Sequence, residues 1–350
     1  MKQKIAVAFS GGVDSTFSLI YLLEKGYDVR AFTFKIPGKT FDNAIEIALK
    51  LKVPLEFVDI QSIFEKIVQK NFIEEYKMGK TPNPCIRCNR FIKFGVLYYH
   101  ILHNHNIELF STGHYVQKEI KNSNLLLKKA YDTSKDQSYF LWGISHKLLP
   151  FLDFPCGRLK KEDIRSIVKS YNIKNLNIAK ESFDICFIPD NDYKRYLEEK
   201  LHKNFPKHAH FVDTKGNILD ESDGIINYTI GQRKGLKFAA GKRMYVRRID
   251  PLKNEIELGD KPKTKRIVAN KINLFVNPDY FEANKFYKCK IRYQSKEADA
   301  KVNYIRTGNH NKLLVEFNEL QEASSKGQSL VIYEDDFLLA GGIIDEIEII

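Results

Sequence analysis

Short apolar runs alternate with amphipathic stretches along the first third of the chain, and their order predicts a parallel α/β sheet. Lys4-Ile5-Ala6-Val7-Ala8-Phe9 reads as a buried strand, followed by a helix from near Asp14 to about Lys25. A strand at 28–36 leads to a helix at about 42–52, and a strand at 55–59 to a helical stretch at about 62–76. Another helix is expected from Phe91 to about Asn104, ahead of the strand Glu108-Leu109-Phe110-Ser111-Thr112. Such alternation builds a doubly wound sheet with ligands at the carboxyl ends of its strands. Gly38-Lys39-Thr40 is a loop at one such end.

The pattern changes after residue 148. Pro155-Cys156-Gly157-Arg158 leads into a charged helix from Lys160 to Tyr171, and another helix is expected around Tyr193–Lys200. A Gly- and Asp-rich region follows, holding Tyr228-Thr229-Ile230-Gly231-Gln232-Arg233. From Lys265 onward the runs at 267–275, 286–293, 298–305, 312–317, 329–333 and 343–349 are short and rich in β-branched and aromatic residues. Evenly spaced short strands of this kind suggest a small β-barrel. The expected domains are 1–150 with about 176–193, then about 151–175 with 194–262, then 263–350.

A chain of 350 residues with 43% apolar content has room for two or three ordinary cores. No apolar run approaches transmembrane length, and Met1-Lys2-Gln3-Lys4 leads into a strand rather than a signal peptide. A cytoplasmic protein without membrane attachment is therefore expected. The formal net charge of +12 favours a polyanionic partner, nucleic acid or membrane surface. Between Tyr76 and Ile107 the chain holds Lys77, Lys80, Arg87, Arg90 and Lys93 and no acidic residue. The bland alternative is a solvated basic face.

Ser10-Gly11-Gly12-Val13-Asp14-Ser15-Thr16 sits where the first strand turns into the first helix. Adjacent glycines let the backbone approach an anion, and the helix N-terminus supplies free N–H groups and the positive dipole end. A Walker loop would close with Gly-Lys-Ser/Thr, and no lysine follows here. Asp14 beside a polyanion makes sense if Mg2+ bridges the two. An ordinary Gly-rich turn is the competing reading.

The five cysteines are Cys85, Cys88, Cys156, Cys186 and Cys289, an odd count that argues against a disulfide framework. Cys85 and Cys88 form a Cys-x-x-Cys on a proline-defined loop, where Lys80, Arg87 and Arg90 should favour thiolate. A structural zinc would need a second such pair, which the sequence lacks. Cys186 lies in Glu181-Ser182-Phe183-Asp184-Ile185-Cys186-Phe187-Ile188-Pro189, an apolar strand-like run in which a buried inert thiol is the ordinary expectation. Cys156 and Cys289 have no motif context.

The Ser-Gly-Gly-x-Asp-Ser order resembles the PP-loop of ATP pyrophosphatases, the superfamily with the adenine nucleotide alpha hydrolase-like fold. The chain as a whole resembles the bacterial tRNA-specific 2-thiouridylases. The likeness is carried by Ser10–Thr16, Thr81–Gly95, Thr112-Gly113-His114-Tyr115, and Lys135-Asp136-Gln137-Ser138-Tyr139-Phe140-Leu141. Ile185–Ile188, Tyr228–Arg233, Ile291-Arg292-Tyr293, Gly327-Gln328 and Ala340–Ile344 continue it in the expected order.

The resemblance implies ATP-dependent 2-thiolation of the wobble uridine of tRNA, with AMP and pyrophosphate as products. It implies that Ala8, Phe9, Ser10, Gly11, Gly12, Val13, Asp14 and Ser15 bind ATP phosphates, with Phe34 beside the adenine and Gly113 admitting the nucleotide. Cys88 would be the nucleophile and Cys186 the persulfide carrier. His114, Lys135, Asp136, Gln137, Arg292, Tyr293 and Gln328 would contact the anticodon stem-loop. An upstream persulfide donor, a cysteine desulfurase or a sulfur-relay protein, would be required.

Well-known members carry aspartate where this chain has Cys85. Three thiols at Cys85, Cys88 and Cys186 could instead hold a [4Fe–4S] cluster with one open iron. That route and the cluster-free persulfide route both stay open at this point. So do a PP-loop enzyme thiolating another tRNA position, a small-molecule PP-loop ligase, and a non-enzymatic RNA-binding module.

Overall fold

The computed structural model describes residues 2–36, 41–173, 185–201, 205–236, 243–306, 308 and 310–350. The chain divides into two compact units. The first comprises Met1–Ile67, Cys85–Pro189 and Asp336–Leu339, and the second Val68–Pro84, Asp190–Asp335 and Ala340–Ile350. The loop at 38–40 and much of the 181–189 run lie outside the described residues.

In the first unit β1 (Lys4–Ala8) is followed by α1 (Val13–Glu24), β2 (Asp28–Phe34), α2 (Asp42–Leu51) and β3 (Leu55–Val58). A helical run then covers α3 (Gln61–Phe64), a wider-wound π turn (Glu65–Gln69) and α4 (Lys70–Lys77), of which α4 belongs to the second unit. The next helix opens at α5 (Pro84–Arg87), passes through a π segment (Cys88–Leu97) and ends as α6 (Tyr98–His105). After it come β4 (Leu109–Thr112), the hairpin β5 (Val116–Lys121) and β6 (Asn124–Lys129), β7 (Leu152–Asp153) and α7 (Lys161–Ser170).

The central sheet has the order β3-β2-β1-β4-β7, with each neighbouring pair parallel. The expected doubly wound sheet is thus present, and β1 is flanked by β2 and β4. Helix α1 is apolar on two flanks because it is covered from two sides. Leu19 and Leu22 pack with Ile5, Val7, Val29 and Ala31 of the sheet and with Ala44 and Ile47 of α2. Val13, Phe17 and Ile20 pack with Tyr115, Cys156, Ile164 and Val168. Ile164 and Val168, four residues apart, form the buried stripe of α7. Gly157 admits no side chain, since a Cβ there would stand 1.8 Å from the Val116 carbonyl oxygen.

Two expectations need correction. The Cys-x-x-Cys is not on a loop ahead of a helix at Phe91; helical winding begins at Pro84 and carries both cysteines. Proline at the first helical position loses no needed N–H, which is why the sequence reads as a loop yet starts a helix. The described part of the 181–189 run is turn, with Ile188 N–H donating to the Ile185 carbonyl at 2.8 Å, rather than strand.

The second unit holds α4, α8 (Tyr193–Lys200), a four-stranded sheet and a barrel. Phe72 and Tyr76 of α4 meet Tyr196 and Tyr193 of α8 at ring separations of 6.3 and 5.4 Å. The four-stranded sheet comprises β8 (Ala209–Val212), β9 (Ile218–Ser222), β10 (Tyr245–Asp250) and β11 (Glu255–Gly259), in the order β10-β11-β8-β9. The remaining strands are β12 (Lys263–Leu274), β13 (Phe286–Lys290), β14 (Ala298–Ile305), β15 (Lys312–Glu322), β16 (Ser329–Glu334) and β17 (Phe337–Ile349). They pair as β12-β15-β14-β13-β16-β17, and β17 returns to β12, which closes the barrel and removes its edges. Ala300 and Val302, Leu313, Val315 and Phe317, and Tyr287 and Cys289 fill it at alternate positions. No helix among the described residues is long and apolar enough to cross a membrane.

Candidate active site: a phosphate-type loop and three cysteines

The loop between β1 and α1 is a backbone construction. Ser10 N–H donates to Ser15 Oγ at 3.2 Å, and the Ser15 and Thr16 hydroxyls both donate to the Gly12 carbonyl, at 3.1 and 2.8 Å. Gly11 has φ +74°, and a Cβ there would lie 2.8 Å from Ala44 N, so only glycine fits. Gly12 is exposed and caps α1 without any side-chain bond. The first helical bond is Thr16 N–H to the Gly12 carbonyl, which leaves the first-turn amides of α1 to an incoming anion. Ala8 and the buried Phe9 support this loop from β1, Phe9 N–H donating to the Phe32 carbonyl at 2.8 Å and its own carbonyl accepting from Thr33 Oγ1. Phe34 is half-buried at the carboxyl end of β2, the strand next to the loop.

Gly113 holds a place no other residue could. Its Cβ would stand 2.9 Å from the Asp14 carbonyl carbon and from Ser15 N, so the chain after β4 presses against the first turn of α1. Asp14 accepts from Tyr115 Oη at 2.6 Å and pairs with Lys161 Nζ at 2.5 Å. The Asp14 carboxylate and desolvation together push the Tyr115 phenol far up, desolvation being the larger cause. The Cys156 thiol, buried beneath, donates to the Asp14 carbonyl at 3.3 Å and is raised by its burial. Lys161 stands in none of the sequence motifs, and Tyr115 closes the Thr112–Tyr115 motif without any sign of its partner; only the fold brings both to Asp14.

The cysteines form the other half. Cys85 is exposed, Cys186 half-buried and Cys88 buried. Cys186 sits on a turn fixed by the buried Phe187 and Ile188, with Phe187 edge-on to Phe64 at 5.8 Å, so it is more accessible than a core thiol. Although solvent reaches Cys85, the protein around it desolvates its thiolate and raises the thiol; Cys186 adds to the shift and Lys93 opposes it. Cys85 and Cys186 are therefore electrostatic neighbours.

The expected activation by arginine fails at Cys85. Arg87 donates to the Ile67 carbonyl, and the guanidinium groups of Arg87 and Arg90 stand over the Phe91 ring at 5.1 and 5.0 Å. Asn89 of the same helix donates to the Phe140 carbonyl at 3.1 Å.

Lys93 Nζ also faces His114 Nε2 at 3.5 Å, and His114 Nδ1 donates to Thr112 Oγ1 at 2.7 Å. Burial first, and Lys93 second, hold the His114 imidazole neutral, well below its ordinary pKa. The Lys135-Asp136-Gln137 turn is built from inside. Asp136 accepts from Ala130 N–H at 3.0 Å and Ser138 Oγ at 2.7 Å, and Gln137 Oε1 accepts from Tyr115 N–H at 3.0 Å. Lys135 is half-buried at the turn.

In the second unit Arg292 donates to the Ile230 carbonyl at 3.3 Å and to the Ala323 carbonyl, fixing the barrel rim against the Gly231 turn. Lys290 Nζ stands over the Tyr293 ring at 5.6 Å. Gln328 donates to the Thr81 carbonyl at 2.7 Å.

Among the described residues, the group of metal-type ligands within 4.8 Å of one another is Glu56, His100 and His105. Its hydrogen bonds disfavour an ion. Arg30 donates to His105 Nδ1 at 2.7 Å and Asn104 Nδ2 faces His100 Nδ1 at 3.0 Å, so the Nε2 atoms carry protons toward Glu56. A ligating histidine needs the reverse, a donor N–H on its outer nitrogen.

Three family descriptions cover the chain. Residues 3–190 match the tRNA methyl transferase HUP domain, 194–260 the tRNA methyl transferase PRC-barrel domain, and 264–344 the aminomethyltransferase beta-barrel domain. Among curated relatives, the tRNA-specific 2-thiouridylase MnmA of Acetivibrio thermocellus is 40% identical, over 98% of this chain and 99% of its own. The tRNA-specific 2-thiouridylase MnmA 1 of Clostridium tetani is 39% identical, over 99% of this chain and 98% of its own. That of Clostridium botulinum strain Okra is 38% identical over 99% of both.

Proposed function

The chain belongs to the family of tRNA-specific 2-thiouridylases, and on that premise we propose that it replaces the C2 oxygen of a tRNA uridine with sulfur at the expense of ATP. The observation that carries the reading is the pairing, in one unit, of an uncapped glycine loop on α1 with three thiols at positions 85, 88 and 186. Two domain descriptions speak of methyl transfer. A glycine loop suited to ATP phosphates and three thiols in the same unit support thiolation instead.

The uracil C2 carbonyl is a poor electrophile, and oxide is a poor leaving group. Attack of O2 on the α-phosphorus expels pyrophosphate and turns that oxygen into a leaving group. The first-turn amides of α1 would hold the phosphates, and positioning of this kind is most of what phosphoryl transfer needs. The Asp14 side chain is 34% exposed with Oδ1 taken by Tyr115 and Lys161, so it would offer Oδ2 to a magnesium ion. The ion would neutralise phosphate charge.

The terminal sulfur of a Cys186 persulfide would then attack C2, and AMP departs with the original oxygen. Attack of the Cys88 thiolate on Cys186 Sγ breaks the S–S bond, releasing 2-thiouridine and leaving a Cys88–Cys186 disulfide. An external thiol reductant reopens it, and an external persulfide donor reloads Cys186. Cytoplasmic tRNA, bound through its anticodon stem-loop with the wobble base unstacked, is the substrate.

A second reading is favoured by the electrostatic contact of Cys85 with Cys186. Cys85, Cys88 and Cys186 would hold a [4Fe–4S] cluster whose open iron could bind externally supplied sulfide. Iron and sulfide determination on anaerobically purified protein, repeated on Cys85→Ala, separates the two. Iron-free protein with full turnover excludes the cluster.

The function itself is tested by pyrophosphate release with a tRNA transcript and a persulfide donor, combined with mass analysis of the wobble nucleoside. The expected result is a gain of one sulfur for one oxygen at that nucleoside. Pyrophosphate release without tRNA, or an unmodified wobble base, contradicts the reading.

A further inference from the structure

We infer that Lys161 is a polyphosphate-binding residue of the nucleotide site, supplying from α7 the cation that the Ser10–Thr16 loop lacks. The inference rests on the nucleotide reading above and adds a residue to that site. Within Ser10–Thr16 the only charged side chain is the acidic Asp14. Amides and a helix dipole attract an anion, but a triphosphate carries several charges that backbone alone leaves uncompensated. In Walker loops a lysine at the loop's end reaches the outer phosphates.

Here a lysine arrives at the same place by another route. Lys161, 147 residues downstream, brings Nζ to 2.5 Å from Asp14 Oδ1, in the first turn of the uncapped helix. Its position is prepared. Lys161 N–H donates to Asp132 Oδ2 at 3.1 Å, and α7 is packed onto α1 through Ile164 and Val168. The Tyr115 ring lies 5.2 Å from Nζ, and the Tyr115 hydroxyl shares Asp14 Oδ1. The ammonium is held with its side chain 12% exposed, whereas the Asp14 side chain is 34% exposed. A sheltered lysine thus stands behind an accessible carboxylate. Without nucleotide, Asp14 neutralises Lys161; when a polyphosphate reaches the α1 amides, Lys161 can turn from the carboxylate to phosphate oxygen. A purely structural pair could be replaced by apolar groups at little cost.

The test compares equilibrium binding of ATP and AMP, by calorimetry, to the full-length protein. Lys161→Met should weaken ATP binding on the order of tenfold to a hundredfold, the scale of one charge-assisted contact. AMP affinity should stay near wild type, and Lys161→Arg should recover part of the loss. In EDTA, Asp14→Asn should bind ATP more tightly than wild type, and the Asp14→Asn/Lys161→Met double variant should not. This second pair of variants keeps the proposal open to refutation if Lys161→Met folds poorly. Unchanged ATP affinity in Lys161→Met, equal loss for ATP and AMP, or no gain in Asp14→Asn would overturn the assignment. A wild-type protein that binds no ATP overturns the nucleotide reading itself, and the assignment with it.

Discussion

The glycine loop and the cysteine group are built on opposite plans. The Ser10–Thr16 loop closes on itself through hydroxyl and backbone bonds spanning five residues or fewer, while Asp14 reaches outward to Tyr115, Cys156 and Lys161. The cysteine group is assembled from segments a hundred residues apart, and its neighbouring arginines are committed to Phe91. The glycine loop is thus shaped mainly by its own backbone and hydroxyls. The cysteine group leaves its thiols in three different environments, exposed, half-buried and buried. Chemistry that passes sulfur between thiols needs such inequality, because attacking and leaving sulfurs must differ.

The largest expected effects separate these halves outright. Cys186→Ser or Cys88→Ser should reduce tRNA thiolation by on the order of a thousandfold or more, as expected when a nucleophile is removed. ATP affinity should stay unchanged, and a parallel fall in both would merge the two sites into one. In the other half, Gly113→Ala must push apart a Cβ and the Asp14–Ser15 backbone that would meet at 2.9 Å. A stability loss of about 1–3 kcal/mol is expected from such overpacking. ATP binding should weaken with it, read by chemical denaturation and calorimetry.

Smaller effects sharpen the electrostatic contrast. Because burial and Cys186 raise the Cys85 thiol, its alkylation by iodoacetamide should be slow at neutral pH and climb with pH beyond the range of an ordinary thiol. Lys93→Met removes the opposing charge and should slow that alkylation severalfold more, as peptide mass spectrometry of the Cys85 peptide would show. The smallest effect concerns His114, held neutral in the fold. Its folded-state pKa is lowered, so the unfolded chain takes up the proton first as pH falls below about 6.5. Stability should drop in that acid window, and His114→Gln should flatten the drop in urea titrations at successive pH values.

Legibility in the sequence follows the same division. The β1–loop–α1 unit, the parallel sheet and the barrel strands could be read from periodicity, because their apolar positions recur at the spacing of the element they build. The hairpin Val116–Lys129 and the sheet of Ala209–Gly259 could not, since charged residues interrupt their alternation. The helix start at Pro84 was hidden by two prolines that also suit a turn. Lys161 carries no local signal, and the motif that ends at Tyr115 does not announce Asp14 as its partner. Their meaning comes from Gly113 and Gly157, which allow close backbone approach and so deliver both side chains to Asp14.

The central claim is that the loop and the thiols act in sequence on one uridine, oxygen activation first and sulfur entry second. Cys186→Ser protein incubated with tRNA and α-32P-labelled ATP tests this most directly. Label should appear on the tRNA, as an adenylated uridine that no sulfur displaces, while wild-type protein with a persulfide donor releases the label as AMP. Full nucleotide binding with no label on the tRNA would contradict the order and the role assigned to the loop.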